Sequence, residues 1–262
     1  MSEDRLIETL LARDKTTDAN TAFVRFLLNQ LIGEQFVLTK ESSDMYRVWA
    51  LKNAAWERYK TTIQEAAKIL ESYGEPLMLD ELYDRTRNAI DYTDLSDRNH
   101  NVVFVNYLDI TKHIEENKFN EWGLSHWSSI RPRRMNDKIY LVMKREGKPM
   151  HFTEIAKRIN DVGFDSRVAY PATIHNELIL DDKFVLVGRG IYALRDWGYK
   201  PGIVLDVIRE VLSRSTRPLT RDEIINEVLK NRVVKRSTVM LALMNKRVFQ
   251  KDQNGLYSLV TS

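Results

Sequence analysis

FVLVGRGIYALRDW, Phe184 to Trp197, is two apolar runs interrupted by Gly188-Arg189-Gly190. Glycine enters the positive-φ region that tight hairpin turns need, so the stretch reads as two β-strands folded back on each other with Arg189 at the tip. Its closing phrase is an aromatic, a small residue and a leucine, Tyr192-Ala193-Leu194, and it recurs as Trp49-Ala50-Leu51, Trp122-Gly123-Leu124 and Tyr257-Ser258-Leu259. In two copies a phenylalanine stands eight residues before the aromatic, Phe184 before Tyr192 and Phe249 before Tyr257. Asn254-Gly255 serves as the turn of the second.

Upstream of these hairpins, three segments align on a proline: ESYGEPLMLDEL (Glu71 to Leu82), KREGKPMHFTEI (Lys144 to Ile155) and SRSTRPLTRDEI (Ser213 to Ile224). The residue after Pro76, Pro149 and Pro218 is apolar (Leu77, Met150, Leu219), the fifth is Glu81, Glu154 or Glu223, and the sixth is apolar again (Leu82, Ile155, Ile224). Apolar residues also sit ten, seven and six positions before each proline: Ala66, Ile69 and Leu70; Ile139, Val142 and Met143; Ile208, Val211 and Leu212. That spacing is one face of a helix, which the proline turn ends. Two further helical stretches follow, as in Thr153 to Asn160 and Pro171 to Leu180, before each hairpin. Helix, proline turn, two helices and a hairpin in about seventy residues is the order of a winged-helix domain, an elaborated helix-turn-helix.

The sequence therefore predicts an α+β, helix-dominant fold, a tandem array of winged helices. The units are 58–130, 131–198 and 199–262, with 1–57 as a partial fourth. In that first part the helices are expected at Asp4 to Leu11 and Ala19 to Ile32, followed by a hairpin from Phe36 to Leu51. Leu6, Ile7, Leu10 and Leu11 form one apolar stripe, and Phe23, Val24, Leu27, Leu28 and Leu31 another. The joints, Ser128 to Arg133 and Gly198 to Gly202, are short and favour a semi-rigid array.

Composition narrows the class. With 43% hydrophobic and 29% charged residues the chain has material for folded cores. No run approaches the roughly 18 apolar residues that cross a bilayer, and the charged N-terminus lacks a signal core. The absence of cysteine excludes disulfides and thiolate metal sites and fits the cytoplasm. Charge is unevenly spread: residues 1–130 hold 15 Lys and Arg against 22 Asp and Glu, residues 131–262 hold 25 against 15, so the halves carry −7 and +10. An anionic partner is expected to meet the second half.

GKPMHFTEIAKRI followed by ATIHNELILDDKFVLVGRGIYALRDWGY resembles the HARE-type helix-turn-helix domain, the winged module also found in the delta subunit of bacterial RNA polymerase. KFNEWGLSHW, Lys118 to Trp127, is similar to the end of the delta-subunit domain. The order of these phrases through nearly the whole chain resembles the C-terminal region of sigma-factor-like proteins of poorly characterised bacteria. Those proteins place a promoter-reading helix-turn-helix ahead of this region, and nothing before Asp14 is long enough to be one, so sigma-type promoter recognition is not carried over. The resemblance implies a transcription-associated protein with DNA and RNA polymerase, or another transcription protein, as partners.

The candidate nucleic-acid contacts follow from how a winged helix meets a duplex, third helix in the major groove and basic wing along the phosphates or minor groove. Arg189 is the wing tip of the second unit. On its third helix, YPATIHNELIL, Ile174, Leu178 and Ile179 turn inward, which leaves His175 and Asn176 facing out. Glu177, Asp181 and Asp182 count against that helix as a reader, since they repel phosphate. In the third unit Arg232, Lys235, Arg236 and Thr238 gather at the start of the third helix, where the dipole also favours phosphate, and Lys246 and Arg247 follow near its end. Arg133 and Arg134 at the joint and Arg167 ahead of the second unit's third helix complete the set. For every one of these cations a solvated surface role is the plain alternative.

Catalysis finds no footing. The five histidines (His100, His113, His126, His151, His175) never fall at i,i+3 or i,i+4, and Asp91, Asp94 and Asp97 lack the pattern of a calcium loop. Gly188-Arg189-Gly190 lacks the Lys-Ser/Thr of a phosphate loop. No enzyme activity, cofactor, metal or small-molecule substrate is expected. The rival functional reading is a protein-docking array that does not bind DNA.

Overall fold

The computed structural model describes residues 1–11, 17–31, 36–90, 100–199 and 201–260. It divides into two compact units, Met1–Pro132 and Arg133–Ser262.

The two recurring phrases pair with each other. In the first unit α3 (Trp56–Tyr73) leads through Pro76 into the short strand β3 (Leu77–Met78), then α4 (Leu79–Ala89), α5 (His100–Ile110), β4 (Ile114–Glu116) and β5 (Glu121–Leu124). In the second unit α6 (Met135–Glu146) leads through Pro149 into β6 (Met150–His151), α7 (Phe152–Val162), α8 (Pro171–Leu180), β7 (Phe184–Gly188) and β8 (Ile191–Leu194). The residue after each proline pairs antiparallel with the aromatic of its own closing phrase: Leu77 with Trp122, Met150 with Tyr192, and Leu219 with Tyr257. The leucine of the phrase lies opposite Ile114, Phe184 or Phe249. One apolar residue on each strand thus closes over the helices, and the sheets order as β3-β5-β4 and β6-β8-β7.

The remaining elements of the second unit are α9 (Val204–Arg214), α10 (Arg221–Asn231), α11 (Arg236–Leu243), β9 (Phe249–Lys251) and β10 (Tyr257–Leu259). Helix ends follow the local sequence. Gly74 and Gly147 take left-handed φ of 80° and 66° behind α3 and α6, Pro171 opens α8, and Thr220 accepts the Glu223 N–H at the start of α10. The three-and-four stripes are buried as their spacing requires: Ala66, Leu70, Ile139, Met143 and Ile208 are solvent-free, as are Leu82, Ile155 and Ile224 after the prolines. Truncating such a leucine or isoleucine to alanine costs about 2–5 kcal/mol.

At the start of the chain α1 (Glu3–Leu10) and α2 (Asp18–Leu31) pack on the hairpin of β1 (Phe36–Thr39) and β2 (Val48–Leu51), where Phe36 pairs with Leu51. This part joins the rest of its unit through the Met45–Thr111 bridge and the Ser2 hydroxyl, which donates to Asp109 at 2.9 Å. The predicted stripes are wider than the surface they meet. Ile7, Leu11, Val24 and Leu28 are buried around Trp49, whereas Leu10 and Phe23 stay exposed. Ile32 and the Asp91, Asp94 and Asp97 series lie outside the described residues. No helix among the described residues is long and apolar enough to cross a membrane.

Candidate nucleic-acid interface

The hairpin of β7 and β8 is the wing its sequence predicts, with an irregular outer strand. Its register slips between Leu186 and Gly188, so Val187 has no partner in the ladder, as in a β-bulge. The Val187 carbonyl instead accepts the Val233 N–H at 3.0 Å, which ties the outer edge of the wing to the chain ahead of α11. Both faces of the hairpin are covered: Phe184, Tyr192 and Leu194 join the main core, and Val185, Val187 and Ala193 form a second cluster with Trp197 and Tyr199. The two turn glycines divide the work. Only Gly190 has positive φ, 66°, whereas a Cβ on Gly188 would stand 2.6 Å from the Val233 carbonyl oxygen. Gly188 is therefore needed for close approach of backbone and not, as predicted, for the turn.

Arg232 holds the same seam and corrects another expectation. It is not a surface contact: 4% of it is exposed, its Nη1 donates to the Leu186 carbonyl, and its Nη2 donates to the Gly202 carbonyl at 2.5 Å. Burial pushes its pKa down from the ordinary arginine value, with partial relief from Asp206. The guanidinium bridges the wing, the joint at Gly202 and the entry to α11, an arrangement to which Arg's planar fork is suited.

Beyond this staple the chain climbs into α11 with Lys235 at the N-cap, and Lys235, Arg236 and Thr238 are exposed. Arg236 is partly neutralised, its Nη2 lying 2.7 Å from Asp222 on α10. Lys246 and Arg247 are exposed in the turn before β9, and Arg189 is exposed at the wing tip. No carboxylate of the described residues comes within ion-pair range of Arg189, Lys235, Lys246 or Arg247, whereas Arg158, Arg195, Arg209, Arg214, Arg217 and Lys230 of the same unit are all paired. Arg189 and Thr238 line one cleft, so the wing tip and the first turn of α11 are neighbours.

The loop into α8 is held by two devices that the sequence pattern did not reveal. Lys138 on α6 is buried, and its Nζ donates to Asp165 at 2.7 Å, which holds the Asp165 carboxyl below the usual carboxylate range. Asn160 uses both ends of its amide on Ala169, accepting the N–H at 2.7 Å and donating to the carbonyl at 3.0 Å. Arg167, exposed, lies between these anchors, its N–H donating to Asp165. Neither device has a signal in spacing, because a single Lys or Asn on a helix looks like surface.

On α8 itself Asn176 is exposed but His175 is not the outward reader predicted. Its ring lies 4.8 Å from Phe152 and 5.9 Å from Tyr192, half-buried in a row that continues to His151 at 4.4 Å from Phe152. Aromatic packing captures an imidazole that the helical wheel had left at the boundary. Ile179 is the converse: expected inward, it is exposed along with Tyr170 and Leu180. Arg133 and Arg134 are exposed at the start of α6, where the Arg134 N–H is capped by Asp137; Arg131 is paired with Glu115.

A three-stranded sheet with two helices between its first and second strands, and with a hairpin wing behind them, defines a winged helix-turn-helix domain over α6 to β8. Residues 133–197, a quarter of the chain, match the family model of the HARE-HTH domain, a helix-turn-helix domain described from ASXL proteins and restriction endonucleases. No curated protein matches the chain.

Proposed function

We propose that this is a non-catalytic, transcription-associated protein whose residues 133–262 bind DNA. The observation that carries the reading is the set of exposed cations without carboxylate partners among the described residues, Arg189, Lys235, Lys246 and Arg247, on a unit whose first half matches a helix-turn-helix family. Unpaired cations gain most from phosphate, because no ion pair is broken when counterions leave the duplex. Asn176, Thr238, Arg133, Arg134 and Arg167 are further contacts in this reading, and Arg236 contributes only by exchanging Asp222 for phosphate.

The recurring pairing of proline and hairpin phrases supports a tandem winged-helix array of 58–130, 131–198 and 199–262 behind a partial unit, 1–57. The resemblance of the first part to the polymerase delta subunit, and its acidic charge, make RNA polymerase its proposed partner in a bacterial cytoplasm. A second reading, protein docking without DNA, has one observation in its favour. The third helices expose apolar residues, Ile179 and Leu180 on α8 and Leu241 and Met244 at the end of α11.

Fluorescence anisotropy of the whole chain with a labelled random duplex, repeated over a range of salt, separates the two. DNA binding predicts a log-log salt slope equivalent to several phosphates. Absence of binding at low salt overturns the DNA reading and leaves docking to be tested by pull-down with core RNA polymerase.

A further inference from the structure

The seam between wing and third segment forms an open cleft of about 290 Å³, two of whose lining residues, Arg189 and Thr238, are also DNA contacts in the reading above. Its walls are Leu186, Val187, Ile203, Val204 and Val234, and its polar lining is Arg189, Arg232 and Thr238. No carboxylate of the described residues lines it. Two helices begin there: Ile203 and Val204 are the N-cap and first residue of α9, and Thr238 is in the first turn of α11.

Arg232 makes this more than a dent. Arg232 is more than nine-tenths buried, its two Nη groups are spent on neutral carbonyls, and its Nε has no acceptor among the described residues. A buried cation without an anion is costly, and each unpaired buried donor adds to that cost. Asp206, the carboxylate that acts on it, lies beyond ion-pair distance; it accepts the Ile203 N–H at 3.0 Å and pairs with Arg209. Buried guanidinium, wing-tip arginine and the α11 N-terminus raise the potential in one apolar-walled space, while Asp206 offsets the α9 end.

We propose that this cleft is a binding site for a small amphipathic anion, a carboxylate carried on an apolar body. The carboxylate takes the electropositive side between Arg189, Arg232 and Thr238, and the body covers the valine, isoleucine and leucine walls. The walls decide against a phosphate of the DNA backbone, which would find no hydrogen-bond partners along them. This site stands whether or not the chain binds DNA.

The test uses the full chain and two probes of the same body and opposite charge, 4-phenylbutyrate and 4-phenylbutylamine, followed by backbone amide NMR. Saturable shifts of Val187, Gly188, Val204 and Val233 with the carboxylate, and none with the amine, are expected. Ile203 is two-thirds exposed, so Ile203→Glu and Ile203→Lys leave the fold intact; the first should weaken the carboxylate about tenfold and the second should not. Equal shifts from both probes, or an Ile203→Glu variant that binds the carboxylate like the parent, would each overturn the proposal.

Discussion

The hairpins β7–β8 and β9–β10 are two copies of one sequence idea with different surroundings. Both place a phenylalanine opposite the leucine of the closing phrase, Phe184 with Leu194 and Phe249 with Leu259, and in both the aromatic pairs with the residue after the proline. The first packs apolar residues from both faces into two clusters and is bound at its edge by Val233 and Arg232; the second has three residues per strand and an Asn254-Gly255 turn. The repeat therefore specifies how a hairpin closes over its own helices. What the wing does afterwards is set by residues outside the repeat, Gly188 and Arg232, which make a wing into part of an interior.

Removing Arg232 should break this contrast most strongly. Arg232→Ala loses two charge-assisted hydrogen bonds and leaves the Leu186 and Gly202 carbonyls unsatisfied, a loss on the order of 3 kcal/mol in urea unfolding. The same substitution should leave the salt slope of DNA binding unchanged, since a buried guanidinium meets no phosphate; a slope lower by about one unit would restore it as a contact. Gly188→Ala comes next, at about 1–3 kcal/mol by overpacking, read in the same unfolding experiment, because the obstructing atom is backbone and cannot step aside. The equivalent change at Gly255, where the nearest atom to an added Cβ is the mobile Lys251 Cε at 3.6 Å, should cost only the strain of φ 83°.

Smaller effects sharpen the comparison at the surface. Arg189→Glu and Lys235→Glu should each reduce the salt slope of DNA binding by about one or more with unfolding midpoints unchanged, whereas Arg236→Ala should reduce it less because its charge is shared with Asp222. The smallest concerns acid. Hydrogen bonds from Arg217 and then from Thr220 hold the Glu223 carboxyl down at about 2, below the ordinary 4.5. Its contribution to stability is present in full above the ordinary value and disappears as pH falls through about 2. Glu223→Gln should flatten the acid limb of the stability profile in that window and leave neutral-pH DNA binding alone.

Much of the fold is legible in the sequence. The proline phrase, the aromatic–small–leucine phrase and the three-and-four stripes are local patterns, and each has a local cause: a helix that must end, a strand that must present one face, a turn that needs glycine. The candidate site was legible in part. Exposed cations such as Arg189, Lys235 and Arg247 can be read from a tip or a helix start, whereas Arg232, three residues from Lys235, has the same local signature and the opposite fate. His175 and Ile179 exchanged places with their predicted burial because a helical wheel knows the angle of a side chain but not which neighbour will cover it.

The repeat, its register and the acidic-to-basic change along the chain follow from residue order alone, because each depends on residues within one helix or one hairpin. Folding in three dimensions was needed to pin one wing and bury its arginine neighbour, to set Lys138 and Asn160 as anchors on the approach to α8, and to open a cationic apolar cleft at the seam. Those outcomes depend on backbone carbonyls and side chains brought together from distant positions, and desolvation makes the same arginine a surface charge in one setting and a structural clamp in another.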